Sequence, residues 1–281
     1  MFDPETWAKT SDVVAQDAAE FVPKMIQEMR WTQGDRVLDF GCGAGNVGFH
    51  WILPQVEKLD GNLCSIDISS RMLEYAKKTY PHPKIDYICA DILADDEGKG
   101  LGDFQFNNIF ANYVFHQIRD IRKLLQRLHG MLKPGGSLGF IFLTNKNWYF
   151  QALQKLAKRD KWKAYFEGFE HIVADWTSYE EKVDGENKFT KLMQESGLKV
   201  KTLQILNRNF FYEDIEVVLD LWLSANIFLH RLTEPMKMEL REENRKIMTE
   251  FAGVPLNSKS LMKEYEIVYG VVDKPQANIN L

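Results

Sequence analysis

At 281 residues, the chain suits one large domain or a core domain carrying a cap. Its 45% hydrophobic and 27% charged residues are ordinary for a globular protein, and its net charge of −5 argues against a nucleic-acid surface. No apolar run nears the roughly eighteen residues of a membrane span, so neither nucleic acid nor a membrane is an expected partner, and the cytoplasm is the expected compartment.

Residues 3–30 read as helix, with Val13, Val14, Ala18, Phe21, Val22, Met25, Ile26 and Met29 recurring at three-to-four spacing. Ser11 or Asp12 is the expected N-cap, and Pro23 is expected to break the helix in two. Next, the apolar run Arg36–Phe40 ends in an acid, Asp39, and meets glycines at 41, 43 and 45. A helix from Asn46 to about Glu57 follows. A strand feeding a glycine turn and a helix is the opening of a nucleotide-binding βαβ unit. The backbone there must turn sharply and approach a ligand, which a Cβ would obstruct.

Gly43-x-Gly45-x-x-Gly48 also satisfies the dinucleotide spacing, so an NAD enzyme is one reading. Asp39 favours another. A carboxylate at the end of the first strand suits a cationic group such as an amino-acid ammonium, and would repel a pyrophosphate. The second strand, Asn62–Asp67, ends in Asp67, 22 residues after Gly45, which is the separation of a ribose-binding acid. Ile68 comes next, a helix capped by Ser69 or Ser70 runs to Tyr80, and Met72 is placed to touch an adenine.

Lys84–Ala90 is the third strand, with Asp91-Ile92 after it, and residues 94–102 read as an acidic, glycine-rich loop. Asn107–Asn112 is the fourth. Asn112 and the stretch Tyr113–Ile118 then fall beside the first strand, at the switch point where ligands bind. A helix over 121–132 leads through the turn Lys133-Pro134-Gly135-Gly136 into a fifth strand, Ser137–Leu143. Beyond it the pattern predicts helices at Asn147–Lys163, Asn187–Ser196, Val217–Leu232 and Pro235–Phe251. Strands are predicted at Lys199–Phe211 and Tyr265–Val272. Cys42, Cys64 and Cys89 show no metal or disulfide spacing, so all three are expected reduced and buried, with no metal site.

The glycine turn with Asp39, then Asp67, Asp91 and the Leu-Lys-Pro-Gly-Gly turn, in this order, resembles the class I S-adenosylmethionine (SAM)-dependent methyltransferases. The resemblance implies a Rossmann-like α/β fold with a seven-stranded sheet whose last pair is antiparallel. It also implies SAM as cofactor, held by Asp39, Gly41, Gly43, Gly45, Asp67, Ile68, Met72, Asp91, Ile92 and Asn112. Asp91 would accept from the adenine amino group and the Ile92 N–H would meet a ring nitrogen. The expected organisation is a single methyltransferase domain over 1–281, with its SAM-binding core at 30–145. Helical cap segments are expected at about 146–186 and 213–262, over the substrate site.

Further stretches resemble one family, the insect juvenile hormone acid O-methyltransferases and their arthropod relatives. They are Gln16-Asp17-Ala18, Arg36–Gly43, Asp67–Ala76, Tyr113–Asp120 and Asp160-Lys161-Trp162. That resemblance implies methyl transfer to the carboxylate of a small apolar, sesquiterpenoid acid such as farnesoic acid. His116 and Gln117 are then the candidate catalytic pair, and Gln16, Phe115, Trp148, Tyr149, Trp162 and Trp222 candidate substrate contacts, with Trp7 and Phe166 beside them. Two positions depart from the family pattern. Gln117 stands where the family has tryptophan after the histidine, and Gln16 is offset from the family's glutamine, which falls near Val14. A phenol O- or N-methyltransferase using His116 as base, and a non-catalytic binder of the same fold, are the alternatives.

Overall fold

The computed structural model describes residues 4–94, 104–169 and 174–276. The loop expected over 94–102 lies, past Ala94, outside them. Among the described residues, seven strands join one sheet: Arg36–Phe40 (β1), Asn62–Asp67 (β2), Ile85–Cys89 (β3), Phe106–Asn112 (β4), Leu132–Leu143 (β5), Lys199–Tyr212 (β6) and Leu261–Asp273 (β7). Their order is β3-β2-β1-β4-β5-β7-β6. The first five pair in parallel, and β7 runs antiparallel between β5 and β6. This is the class I methyltransferase sheet. The order reverses between β1 and β4, so a crevice opens at their carboxyl ends.

The parallel strands have little polar surface because helices cover both faces. Alternation along β5 shows this. Leu138, Phe140 and Phe142 face one core with Phe115, Leu124 and Phe189, while Ile141 faces the other with Phe21, Val22 and Met25. Gly139 lets that second layer close in, because a Cβ there would lie 2.8 Å from the Met25 sulfur.

The helices are Pro4–Thr10 (α1), Asp12–Glu28 (α2), Leu53–Lys58 (α3), Ser70–Thr79 (α4), Ile121–Met131 (α5), Trp148–Ala157 (α6), Lys182–Glu195 (α7), Ile215–Ala225 (α8) and Glu234–Ala252 (α9). A π-helical turn, Gly48–Ile52, precedes α3. Helices α6, α8 and α9 share a third core that includes Leu153, Trp162, Leu219 and Leu240, separate from the two sheet layers.

Several expectations need correction. Pro23 does not break the first helix, which runs through it, held by fully buried Val22 and Met25; the chain breaks earlier, at Ser11. The Lys133–Gly136 turn is a bulge inside β5. Leu132 and Ser137 both keep partners on β4, and Gly135, at φ +79°, donates its N–H to Lys274 O. The long helix expected at 217–232 stops at Ala225, where the Asn226 side chain caps a 3-10 turn, Ile227–Arg231. Helix α7 begins five residues before its predicted start at Asn187, and β7 begins at Leu261 rather than Tyr265. Cys42 and Cys64 are buried, but Cys89 is exposed because its outward face lies on the edge strand β3.

Candidate active site

A cavity of about 710 Å³ opens at the carboxyl ends of β1, β2 and β4 and extends under the cap. Its first half is built by the glycine turn. Gly41, Gly43 and Gly45 have φ of +70°, +53° and +85°, and the N–H groups of Gly41 and Cys42 both reach Ile66 O at 2.9 Å. Gly41 is doubly constrained, since a Cβ there would lie 2.6 Å from the Val114 side chain. Gly45 turns away from the cavity and packs on Ala76 and Tyr87, so its part is in the fold of the turn.

Asp67 clamps the turn. One carboxylate oxygen accepts from the Gly43 N–H at 2.9 Å, and the other from the Ser69 N–H at 2.8 Å. Each oxygen retains a lone pair for a ligand hydroxyl. Ile68, Met72, Asp91 and Ile92 line the same end, with Asp91 also accepting from the Leu93 N–H at 2.9 Å. Asp39 is fully buried, and burial, reinforced by nearby Asp67, pushes its carboxyl up to about 7. Among the described residues its Oδ2 has no partner, and neither do the two side-chain polar atoms of Asn112. Both residues line the cavity. A nucleoside bearing a cationic amino-acid tail fits this donor set: ribose hydroxyls for Asp67, and positive charge for the acidic wall of Asp39 and Asp67.

The second half is mostly apolar. Trp148, Tyr149 and Trp222 line it as expected, as do Trp7 and Val14. The Tyr149 hydroxyl is spent on Ala225 O at 2.9 Å, whereas Trp222 Nε1 and Asn147 Nδ2 have no partner among the described residues. His116 sits in the wall between the halves. Its Nδ1 accepts the Leu143 N–H at 3.3 Å, and desolvation pushes its pKa down to about 3. The ring is therefore neutral at pH 7, with the proton on Nε2. Gln117 borders the cavity but is exposed, and its amide donates to Tyr113 O at 3.3 Å.

Four expected substrate contacts are not in the cavity. Gln16 is exposed on the far side of α2 and donates to Asn209 O at 3.4 Å, so Val14 occupies the cavity position. Phe115 is wholly buried in the sheet core, stacked on Phe140 at 5.4 Å. Trp162 and Phe166 fill the cap core. Trp162 borders only an outer groove, where Arg159 and Glu243 pair with each other.

The sequence reading missed a buried polar group beside the cavity. Asp17, fully buried on α2, accepts from Tyr113, from the Tyr265 hydroxyl at 3.1 Å and from Arg208 Nε at 3.0 Å. Desolvation outweighs these bonds and raises its carboxyl above the usual range. Tyr113, Tyr265 and the buried Lys263 all border the cavity. The available signal was the alternation of β7, which extends back to Leu261 and turns Lys263 inward.

Residues 38–138 match a methyltransferase domain family. Juvenile hormone acid O-methyltransferase of Bombyx mori is 25% identical over 221 residues, covering 78% of this chain and 76% of that protein. The protein of the same name from Drosophila melanogaster is 24% identical over 230 residues, covering 79% and 74%. Among solved structures, a Bacillus halodurans protein described as a methyltransferase superposes with a TM-score of 0.55 at 16% identity, covering 91% of this chain and 99% of that one. Domain, relatives and sheet agree: the chain is a SAM-dependent methyltransferase built on the class I fold.

Proposed function

We propose that the protein transfers a methyl group from SAM to the carboxylate of a small apolar acid, a sesquiterpenoid such as farnesoic or juvenile hormone acid. The whole chain then acts as one methyltransferase domain, with α6, α8 and α9 closing over the acceptor. The observation that carries this reading is the state of His116. It is a neutral imidazole whose Nδ1 is occupied by the Leu143 N–H, leaving Nε2–H as a donor. Such a ring can orient an oxygen but cannot take a proton at Nε2. That suits a carboxylate, already ionised at neutral pH, better than a phenol or an ammonium that must first lose a proton.

Bound SAM supplies an electrophilic methyl group on a sulfonium sulfur. The chain's own residues do the rest. In this reading Asp39, Asp67, Asp91 and Asn112 hold the cofactor, with Gly41 and Gly43 giving it close backbone approach. His116 Nε2–H fixes one carboxylate oxygen so that the other can attack, and Gln117 stands near the mouth as a second amide donor. Trp148, Tyr149 and Trp222 exclude water and receive the hydrocarbon chain. The resemblance to the two insect enzymes, at about 25% identity over most of the chain, supports the choice of acid.

The test is methyl transfer from labelled SAM to farnesoic acid, a short-chain fatty acid, a phenol and an amine, assayed side by side. A labelled ester of farnesoic acid, lost in His116→Ala, is the expected result. SAM binding with label only in the phenol or amine would overturn the carboxylate assignment. SAM binding with no transfer to any acceptor would leave a non-catalytic binder.

A further inference from the structure

We propose that Lys263 binds the anionic head of the acid substrate, an assignment that rests on the carboxylate reading above. Among the described residues it is the one lysine or arginine that is buried, at 9% exposure, and it borders the cavity. Its place in β7 is unusual. Leu261, Lys263, Tyr265 and Ile267 point inward, while Met262 and Glu264 point out. An inward slot on a covered strand calls for an apolar side chain, and a lysine there loses its hydration.

Among the described residues only a cation–π contact with the Tyr265 ring offsets that loss directly. Among the described residues, no carboxylate, hydroxyl or carbonyl hydrogen-bonds or ion-pairs with its Nζ, which lies 5.5 Å from the centre of the Tyr265 ring. The nearest acid in the network, Asp17, is already held by Tyr113, Tyr265 and Arg208. Desolvation, partly offset by Asp17, brings the ammonium down to about 8, so the group stays largely charged at pH 7. A buried cation with free donors facing an apolar cavity is a seat for an anion, because a charge-assisted bond there gains what the lone ammonium lost.

The same network links the lysine to the reacting end. The Tyr113 ring lies 6.2 Å from His116, its hydroxyl meets Asp17, and Tyr265 joins Asp17 to the ring beside Lys263. Lys263 thus supplies the recognition that the departures at Val14 and Gln117 removed from the family pattern. One carboxylate oxygen pairs with the ammonium and its partner oxygen stays free to attack.

The experiment compares farnesoic acid with farnesol, its uncharged counterpart, by calorimetric binding to the SAM-loaded enzyme and by acid KM. Lys263→Met should weaken farnesoic acid by about thirtyfold or more. It should leave farnesol and SAM affinity as in the natural chain and raise the melting temperature, because an apolar side chain fills the slot without desolvating an ammonium, and Lys263→Arg should recover part of the acid affinity. Lys263→Gln replaces the methionine variant if the latter does not melt cooperatively. Equal affinity for farnesoic acid in the natural and substituted chains overturns the assignment while leaving the carboxylate reading in place. A natural chain that binds farnesol as tightly as the acid, and esterifies no acid, overturns both.

Discussion

The hydroxyl of Tyr113 donates to the carboxylate of Asp17, tying the residue that follows β4 to helix α2 across the cavity wall. Tyr113 holds a left-handed backbone at φ +58°, which a bulky side chain adopts only at a cost of about 1–3 kcal/mol. Its N–H is fixed to Ile141 O at 2.8 Å. The buried carboxylate and this backbone bond together hold a strained residue three positions before His116, and so set the angle at which that histidine meets the cavity.

Tyr113→Phe should therefore weaken both stability and turnover. Removing one of the donors to a buried carboxylate is expected to destabilise by about 1–3 kcal/mol. Chemical denaturation would read this as a lower midpoint with an unchanged slope. Acid methylation should fall with little change in SAM affinity. A variant as stable and as active as the natural chain would show that Asp17 is satisfied without Tyr113.

His116 provides a test by pH. Because burial pushes its pKa down to about 3, the ring is neutral throughout the range from pH 5 to 8. At saturating SAM, kcat for the acid should show no inflection from this histidine there, whereas an exposed imidazole would titrate near 6.5. His116→Ala removes the donor and should lower kcat by about a hundredfold or more, with SAM still bound. A bell-shaped profile with a limb near 6.5 would contradict the neutral-donor role.

Asp39 makes the free protein's stability depend on pH. Its carboxyl, held near 7 when folded and near 3.8 when unfolded, keeps a proton in the folded state that the unfolded chain has already released. Stability contributed by that proton is present below about pH 4 and lost as pH rises to about 7. Asp39→Asn cannot lose a proton, so its melting temperature relative to the natural chain should rise between pH 4 and 8. The same change should weaken SAM binding. A melting difference that does not vary with pH would mean that Asp39 is ionised in the folded protein.

Phe115 separates core from cavity. Wholly buried against Phe140 and Phe142, it should behave as a packing residue. Phe115→Ala is expected to destabilise by about 3–5 kcal/mol. At a temperature where the variant is folded, acid KM should be unchanged. Trp222→Ala, on the cavity wall, should raise KM for a long-chain acid more than for a short-chain one.

What was legible in the sequence followed from backbone demands. The glycines at 41 and 43 and the acids at 39, 67 and 91 sit at strand ends, where positive φ and free N–H groups leave few alternatives. All five border the cavity. Aromatic residues gave no such signal. Nothing in the sequence around Phe115 or Trp222 says which of them faces a cavity, and only tertiary packing sends one into the sheet core and the other to the cavity. Gln16 missed the cavity because two helical steps of about 100° each put it on nearly the opposite face from Val14, which takes the inner one. Lys263 was hidden for a related reason. A charged residue in an apolar slot looks like the end of a strand, so the sequence pattern starts β7 at Tyr265, two residues past it.

The strand order has a consequence for the growing chain. The cofactor half lies in β1 to β5, which are consecutive in sequence, with β1 reaching past two strands to pair with β4. The acceptor half is finished by β7, which wedges between β5 and β6 after more than a hundred intervening residues. Pairings of such separation form slowly. During synthesis the glycine turn and its acids can be assembled while Lys263 and Tyr265 are still inside the ribosome. Until they emerge, β5 and β6 present open edges that want a strand between them. The latest of the seven strands both closes the cavity wall that carries Lys263 and protects the half-built sheet from association with other chains.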